Sequence, residues 1–306
     1  MNQNSALWST QEAQWPLADL VLRGQHWQTD LADSQQSPVL MLHGWLDNSE
    51  SFKRLIPLLD PARTFSSIDM AGHGLSDHRS KAQGYPLTAY VCDLAALIKF
   101  QNRGAVDLIG HSLGGVVNLM YAAAFPESVR RLVLIDSLGP LTFPDETFAD
   151  NLRKAIEKRL AGSGNSRGYA SVQEAAKARM QGFSPIPLDA AEILVRRNLE
   201  EGQDGRLYWR TDPALRHPSF FRMTEGQALA CLGAVKSPVL LITAEQGLIH
   251  TAKPIVARID RLQQALSDSG QCRLTHVTVP GGHHCHLESS VDSIAQAIRN
   301  FLSSDY

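Results

Sequence analysis

Ser112 stands in the run Gly110-His111-Ser112-Leu113-Gly114-Gly115, and a second run, Gly281-Gly282-His283-His284-Cys285-His286-Leu287-Glu288, carries three histidines near the far end of the chain. A serine hydroxyl is a weak nucleophile until a base takes its proton, and imidazole suits that task near neutral pH. Together the two runs offer acyl transfer: Ser112 attacks a carbonyl carbon and a histidine hands the proton on to the leaving group. Among the three imidazoles His283 is the expected base, because the two glycines before it let the backbone turn toward the serine. His284 and His286 are its competitors. The third partner is a carboxylate that fixes the imidazole tautomer. Two places between Ser112 and His283 supply one, Asp136 directly after Leu132-Val133-Leu134-Ile135 and Glu245 shortly after Val239-Leu240-Leu241-Ile242.

His283, His284, Cys285 and His286 are also metal-ligand types. Adjacent residues project in different directions, however, and no second cluster at zinc-site spacing completes a set, so neither a metal nor a cofactor is expected. Cys92, Cys231, Cys272 and Cys285 are far apart and form no C-x-x-C pair; they read as reduced, buried thiols. His43, His73 and His111 belong to loop motifs and are expected to brace loops.

These residues need elements to hold them. Val39 to Leu42, Phe65 to Ile68, Val106 to Ile109 and Leu132 to Ile135 are continuous apolar runs of the kind buried on both faces of a parallel sheet. Helical spacing separates them, at Phe52, Leu55, Ile56 and Leu59, at Tyr90 to Ile98, and at Val116 to Ala123. The alternation resumes with strands at Val239 to Ile242 and Leu274 to Val279 and helices at Ile255 to Leu266 and Ile294 to Leu302, an α/β pattern interrupted once. The interruption reads as helical: Phe148, Leu152, Ile156 and Leu160 lie four apart, Ser171 with Glu174 and Thr224 with Gln227 form capping-box pairs, and Asp189 is a candidate N-cap. Its joints are the stretch Gly162 to Gly168 and the break Pro185-Ile186-Pro187. Ser112 therefore sits where a strand turns into a helix, the setting in which G-x-S-x-G carries meaning.

Composition narrows the partner. With 29 Lys and Arg against 31 Asp and Glu, the net charge of −2 offers no positive field for a nucleic acid. No apolar run reaches the roughly 18 residues of a membrane span, and the start lacks both a basic and an apolar leader region. The expectation is a cytoplasmic protein acting on a small molecule, without nucleic acid or membrane insertion; nothing in the sequence specifies an oligomeric state.

Four motifs in order, His43-Gly44-Trp45, Asp69-Met70-Ala71-Gly72-His73-Gly74-Leu75-Ser76, GHSLGG and GGHHCHLE, resemble the α/β-hydrolase family over nearly the whole chain. Trp209-Arg210-Thr211-Asp212-Pro213, with Pro238 to Ile242, is similar to its serine-hydrolase-like branch. The resemblance implies a mostly parallel α/β-hydrolase sheet flanked by helices, with a helical cap inserted after the sixth strand. Residues 1–139 and 236–306 would be the core and 140–235 the cap. It further implies an oxyanion hole from the backbone N–H groups of Trp45 and Leu113, with the Trp45 side chain roofing the pocket. In the family the loop after the strand at 239–242 usually carries an aspartate as G-x-x-D, but here Gly247 holds that place. Some relatives put the acid at the end of the earlier strand, so Asp136 is the expected acid and Glu245 the alternative. The implied activity is a serine hydrolase cleaving a carboxylic ester of small or medium acyl chain. Alternatives on the same serine are a carbon–carbon bond hydrolase, an amidase or an acyltransferase; outside catalysis, the alternative is a small-molecule binding protein of this fold.

Overall fold

The computed structural model describes residues 7–81, 83–101, 104–162, 167–182, 184–251, 255–268 and 274–304. The first half of the core holds β1 (Ser9–Pro16), β2 (Val21–Gln28), β3 (Val39–Leu42), β4 (Phe65–Asp69), α1 (Leu87–Gln101), β5 (Val106–His111), α2 (Leu113–Ala124) and β6 (Val129–Ile135). An inserted stretch follows, with α3 (Phe148–Ala161), α4 (Val172–Met180), α5 (Leu188–Arg197), β7 (Leu199–Glu201), β8 (Leu207–Trp209) and α6 (Glu225–Ala234). The chain then returns to the core through β9 (Val239–Gln246), α7 (Leu248–Thr251), α8 (Ile255–Asp268), β10 (Leu274–Gly282) and α9 (Val291–Ser303).

Eight strands form one sheet in the order β1-β2-β4-β3-β5-β6-β9-β10. From β4 to β10 every neighbouring pair is parallel, while β2 runs antiparallel to both β1 and β4. Alternate residues of the apolar strands feed two separate cores. Leu40, Leu108, Leu134 and Leu241 pack on one face with α1, α2 and α8, and Met41, Ile109, Val133 and Ile242 pack on the other with α9. Burial of both faces is why these strands read as unbroken apolar runs.

Two departures from the sequence reading have local causes. The stretch from Phe52 to Leu59 forms two 3₁₀ turns, Ser49–Phe52 and Ile56–Leu58, in place of a helix; Pro57 lacks the amide that would continue one. Strands β1 and β2 were not anticipated, because β1 is a polar, mostly exposed edge with no apolar run.

Of the inserted stretch, α4 and α5 bury Ala175, Ala176, Ala190, Ala191, Leu194 and Val195 in a third cluster that also takes in Leu287 of the core. Helix α6 instead gives Leu232 to the first core, beside α2 and α8. Helix α3 buries only Ala155. Thr224 and Gln227 make the full capping box, and Ser171 caps α4 through the Glu174 amide. Asp189 is not a cap: it lies in the first turn of α5, after Pro187 at the cap position, and pairs with Arg54 at 2.6 Å. The expected joint at Gly162 to Gly168 lies partly, at 163–166, outside the described residues, as does Cys272; Cys92, Cys231 and Cys285 are free thiols, but against the expectation only Cys285 is buried, Cys231 being half-buried and Cys92 exposed. Ionic clamps, the one to Asp69 buried and the one to Glu12 exposed, seat this stretch on the core. Arg197 donates to Asp69 at 2.8 Å and, with both terminal nitrogens, to Glu12 at 2.7 and 2.8 Å.

Candidate active site

Strand β5 ends at His111 and α2 begins at Leu113, so Ser112 is the single residue of the turn, with φ 49° and ψ −115°. An L-residue adopts such a backbone only when its surroundings enforce it. The Ser112 amide donates to the Ile135 carbonyl at 3.1 Å, and the Ser112 carbonyl accepts from the Val116 amide at 3.0 Å and the Ser137 hydroxyl at 2.8 Å. Gly114 sits so close to β3 that an added Cβ would lie 2.0 Å from the Leu42 carbonyl oxygen, which is the physical content of the glycine two places after the serine.

The base loop follows β10, the sheet edge on this side, after an irregular register between Val279 and Gly282. The structure separates its three imidazoles by partner. His283 Nδ1 lies 2.5 Å from Asp136 Oδ2, both side chains being buried. His284 Nε2 lies 3.0 Å from Asp47 Oδ2 and its Nδ1 3.3 Å from the Ser184 hydroxyl. His286 Nε2 faces the Ser51 hydroxyl at 3.0 Å. A carboxylate only accepts, so His283 carries its proton on Nδ1 and keeps a lone pair on Nε2.

Asp136 directly follows β6, with φ 42°. Its carboxylate also accepts from the Ala244 amide at 3.3 Å and the Leu248 amide at 2.9 Å. Glu245 lies exposed near the end of β9. At Gly247, an added Cβ would sit 2.3 Å from Asp136 Oδ1. The carboxylate from β6 thus fills the space that a side chain at 247 would occupy, and the glycine is the consequence.

Leu113 is the first residue of α2, so its N–H has no acceptor within the helix. The Gly114 amide binds the His43 carbonyl at 3.0 Å, which sets the loop of Gly44 and Trp45 beside that helix start. The Trp45 indole is 39% exposed and donates to the Leu215 carbonyl at 3.1 Å, joining the inserted stretch to the rim.

His43, His73 and His111 brace loops, as expected. His43 bridges the Gly44 carbonyl at 2.7 Å and the Met70 amide at 3.0 Å; burial pushes it down to about 4. Burial likewise pushes His73 and His286 down to about 3, and holds His111 well below the usual imidazole range. His111 Nε2 donates to the His283 carbonyl at 2.9 Å. Burial, with the Asp136 and Glu288 charges, pushes the Cys285 thiol up to about 12, so it is no rival nucleophile.

Sequence reasoning missed Asp47 and Arg179. Asp47, His111 and His284 bring ligand-type atoms within 4.8 Å of one another. Arg179 Nη2 lies 3.0 Å from Asp47 Oδ1 and 3.2 Å from His284 Nε2, so a guanidinium already supplies the cation that this set would offer a metal. Burial pushes Asp47 up, but His284, Arg179 and His111 outweigh it and hold the carboxyl well below its usual range.

Comparison with known proteins bears on the family and the fold. A sequence profile described as "Alpha/beta hydrolase family" matches residues 39–297. A serine hydrolase-like protein of Danio rerio is 34% identical over 287 residues, covering 92% of this chain and 85% of the relative. A 2-(acetamidomethylene)succinate hydrolase of Mesorhizobium japonicum is 30% identical over 267 residues, covering 87% of this chain and 88% of that protein. A crystal structure of a hypothetical protein from Pseudomonas aeruginosa PAO1 superposes with a TM-score of 0.86 at 33% identity, covering 96% of this chain and 99% of that one.

Proposed function

The chain belongs to the alpha/beta hydrolase family, and we propose that it is a serine hydrolase cleaving a carboxylic ester through an acyl-enzyme, with Ser112 as nucleophile, His283 as base and Asp136 as the acid that orients it. The observation that carries this reading is the buried 2.5 Å contact from His283 Nδ1 to Asp136, which leaves Nε2 as the proton acceptor of a residue whose carbonyl is bonded to His111, the neighbour of Ser112. Ser112 Oγ attacks the ester carbonyl and His283 Nε2 takes its proton; the oxyanion is met by the N–H groups of Leu113 and Trp45. The imidazolium returns the proton to the departing alkoxide. Water then attacks the acyl-serine with His283 again as base, releasing the acid and restoring the hydroxyl. Residues 140–235 form the cap over this site, and Trp45, tied to Leu215, roofs it.

Cleavage of an amide by the same serine is the second reading. It is favoured by the similarity to a hydrolase whose named substrate, 2-(acetamidomethylene)succinate, carries an acetamido group. A screen of p-nitrophenyl esters by acyl length, run beside amide substrates and with fluorophosphonate labelling, tests both. Ester turnover and labelling are expected, and Ser112→Ala should lose the label and about 10³-fold or more of kcat. Labelling at another serine, or parental turnover by Ser112→Ala, would sink the assignment.

A further inference from the structure

His111 stands at the variable position of the G-x-S-x-G turn, where the motif asks nothing of it. It is fully buried, and its Nε2–H reaches across to the main-chain carbonyl of His283 at 2.9 Å. Its ring lies among all three histidines of the base loop, with centroid distances of 4.6 Å to His283, 4.9 Å to His284 and 4.3 Å to His286. The other nitrogen, Nδ1, is buried without a hydrogen bond and stands 3.8 Å from Asp47 Oδ2. A phenylalanine or leucine would fill the same space without burying an unpaired nitrogen, so the imidazole is retained at a cost in stability.

The base has a positional problem. Ser112 is fixed by its turn on β5, whereas His283 rides on a loop after β10, separated from β5 by β6 and β9 and entered through an irregular register. The bond to Asp136 sets the rotation of the His283 ring, but it does not set the height of its main chain above the sheet. We propose that His111 is a positioning residue for the base: by holding the His283 carbonyl from the residue adjoining Ser112, it fixes nucleophile and base to a common reference. The proposal rests on His283 being the base.

The test compares His111→Gln, whose amide nitrogen mimics Nε2, with His111→Asn, which is too short to reach the carbonyl, and with His111→Phe, which keeps the bulk and loses the donor. All three are assayed on a p-nitrophenyl ester beside His283→Ala. A base displaced by about an ångström costs on the order of 10²-fold in rate. His111→Phe and His111→Asn should therefore lose about that much kcat with little change in KM, and His111→Gln should recover most of it. Should His111→Phe fail to fold, the Gln and Asn pair decides. Equal kcat for Gln and Asn, or losses shared between kcat and KM, would overturn the positioning role while a dead His283→Ala left the base reading standing. Turnover by His283→Ala would overturn both.

Discussion

The ends of β6 and β9 lie side by side in the sheet, and each could hand a carboxylate to the histidine loop, yet only one does. Asp136 leaves β6 with a positive φ, takes amide hydrogen bonds from Ala244 in β9 and from Leu248 just after it, and meets His283. Glu245, near the end of β9, points to solvent, and Gly247 gives its volume to Asp136. The comparison teaches that the position of the charge is specified more tightly than its origin in the chain. A neighbouring strand delivers the carboxylate to the same spot, and a glycine keeps that spot clear.

The largest expected effect is at β6. Asp136→Asn keeps the shape but no longer fixes the imidazole tautomer, and a loss in kcat of about 10⁴-fold is expected; an ester assay showing normal turnover would reverse the comparison. Moving the acid sharpens it. Asp136→Gly combined with Gly247→Asp should exceed Asp136→Gly alone by about 10-fold or more, because both carboxylates aim at one point. Equal rates would mean that β9 cannot present the group. Gly247→Ala alone forces a methyl against the Asp136 carboxylate and should cost about 10-fold in kcat through a displaced base. Glu245→Gln is the smallest change, expected within about 2-fold of the parent rate, in line with an exposed side chain; a crippled Glu245→Gln would give the role to β9.

What the sequence made legible follows from how local each signal is. Strands buried on both faces announce themselves as apolar runs, so β3 to β6 and β9 could be read directly, and the edge strand β10 was read from its spacing. The exposed β1 and the three-residue β7 and β8 have no such run. Ser112, Asp136 and His283 each sit one step beyond a readable strand or glycine pair, so their neighbourhood could be inferred. The clamps could not. Arg179 meets Asp47 across 132 residues and Arg197 meets Asp69 across 128, and an arginine at that separation from an aspartate has no pattern to mark the pair. The position of His111 was legible as a loop brace, but what it holds appears only in three dimensions.

The buried imidazoles make unfolding in acid a proton-uptake reaction. A free histidine takes a proton near pH 6.5, whereas His43 holds out to about 4 and His73 and His286 to about 3. Between those limits the unfolded chain binds protons that the folded chain refuses, so stability present above about pH 6.5 drains away as pH falls. Each such histidine withdraws about 1.4 kcal/mol per pH unit within its window. Urea unfolding at pH 7 and pH 5 should show a large drop in midpoint before most carboxylates begin to titrate, and a midpoint unchanged between the two would mean that these rings are protonated in the folded protein. The burial of these imidazoles thus also sets an acid limit on the fold.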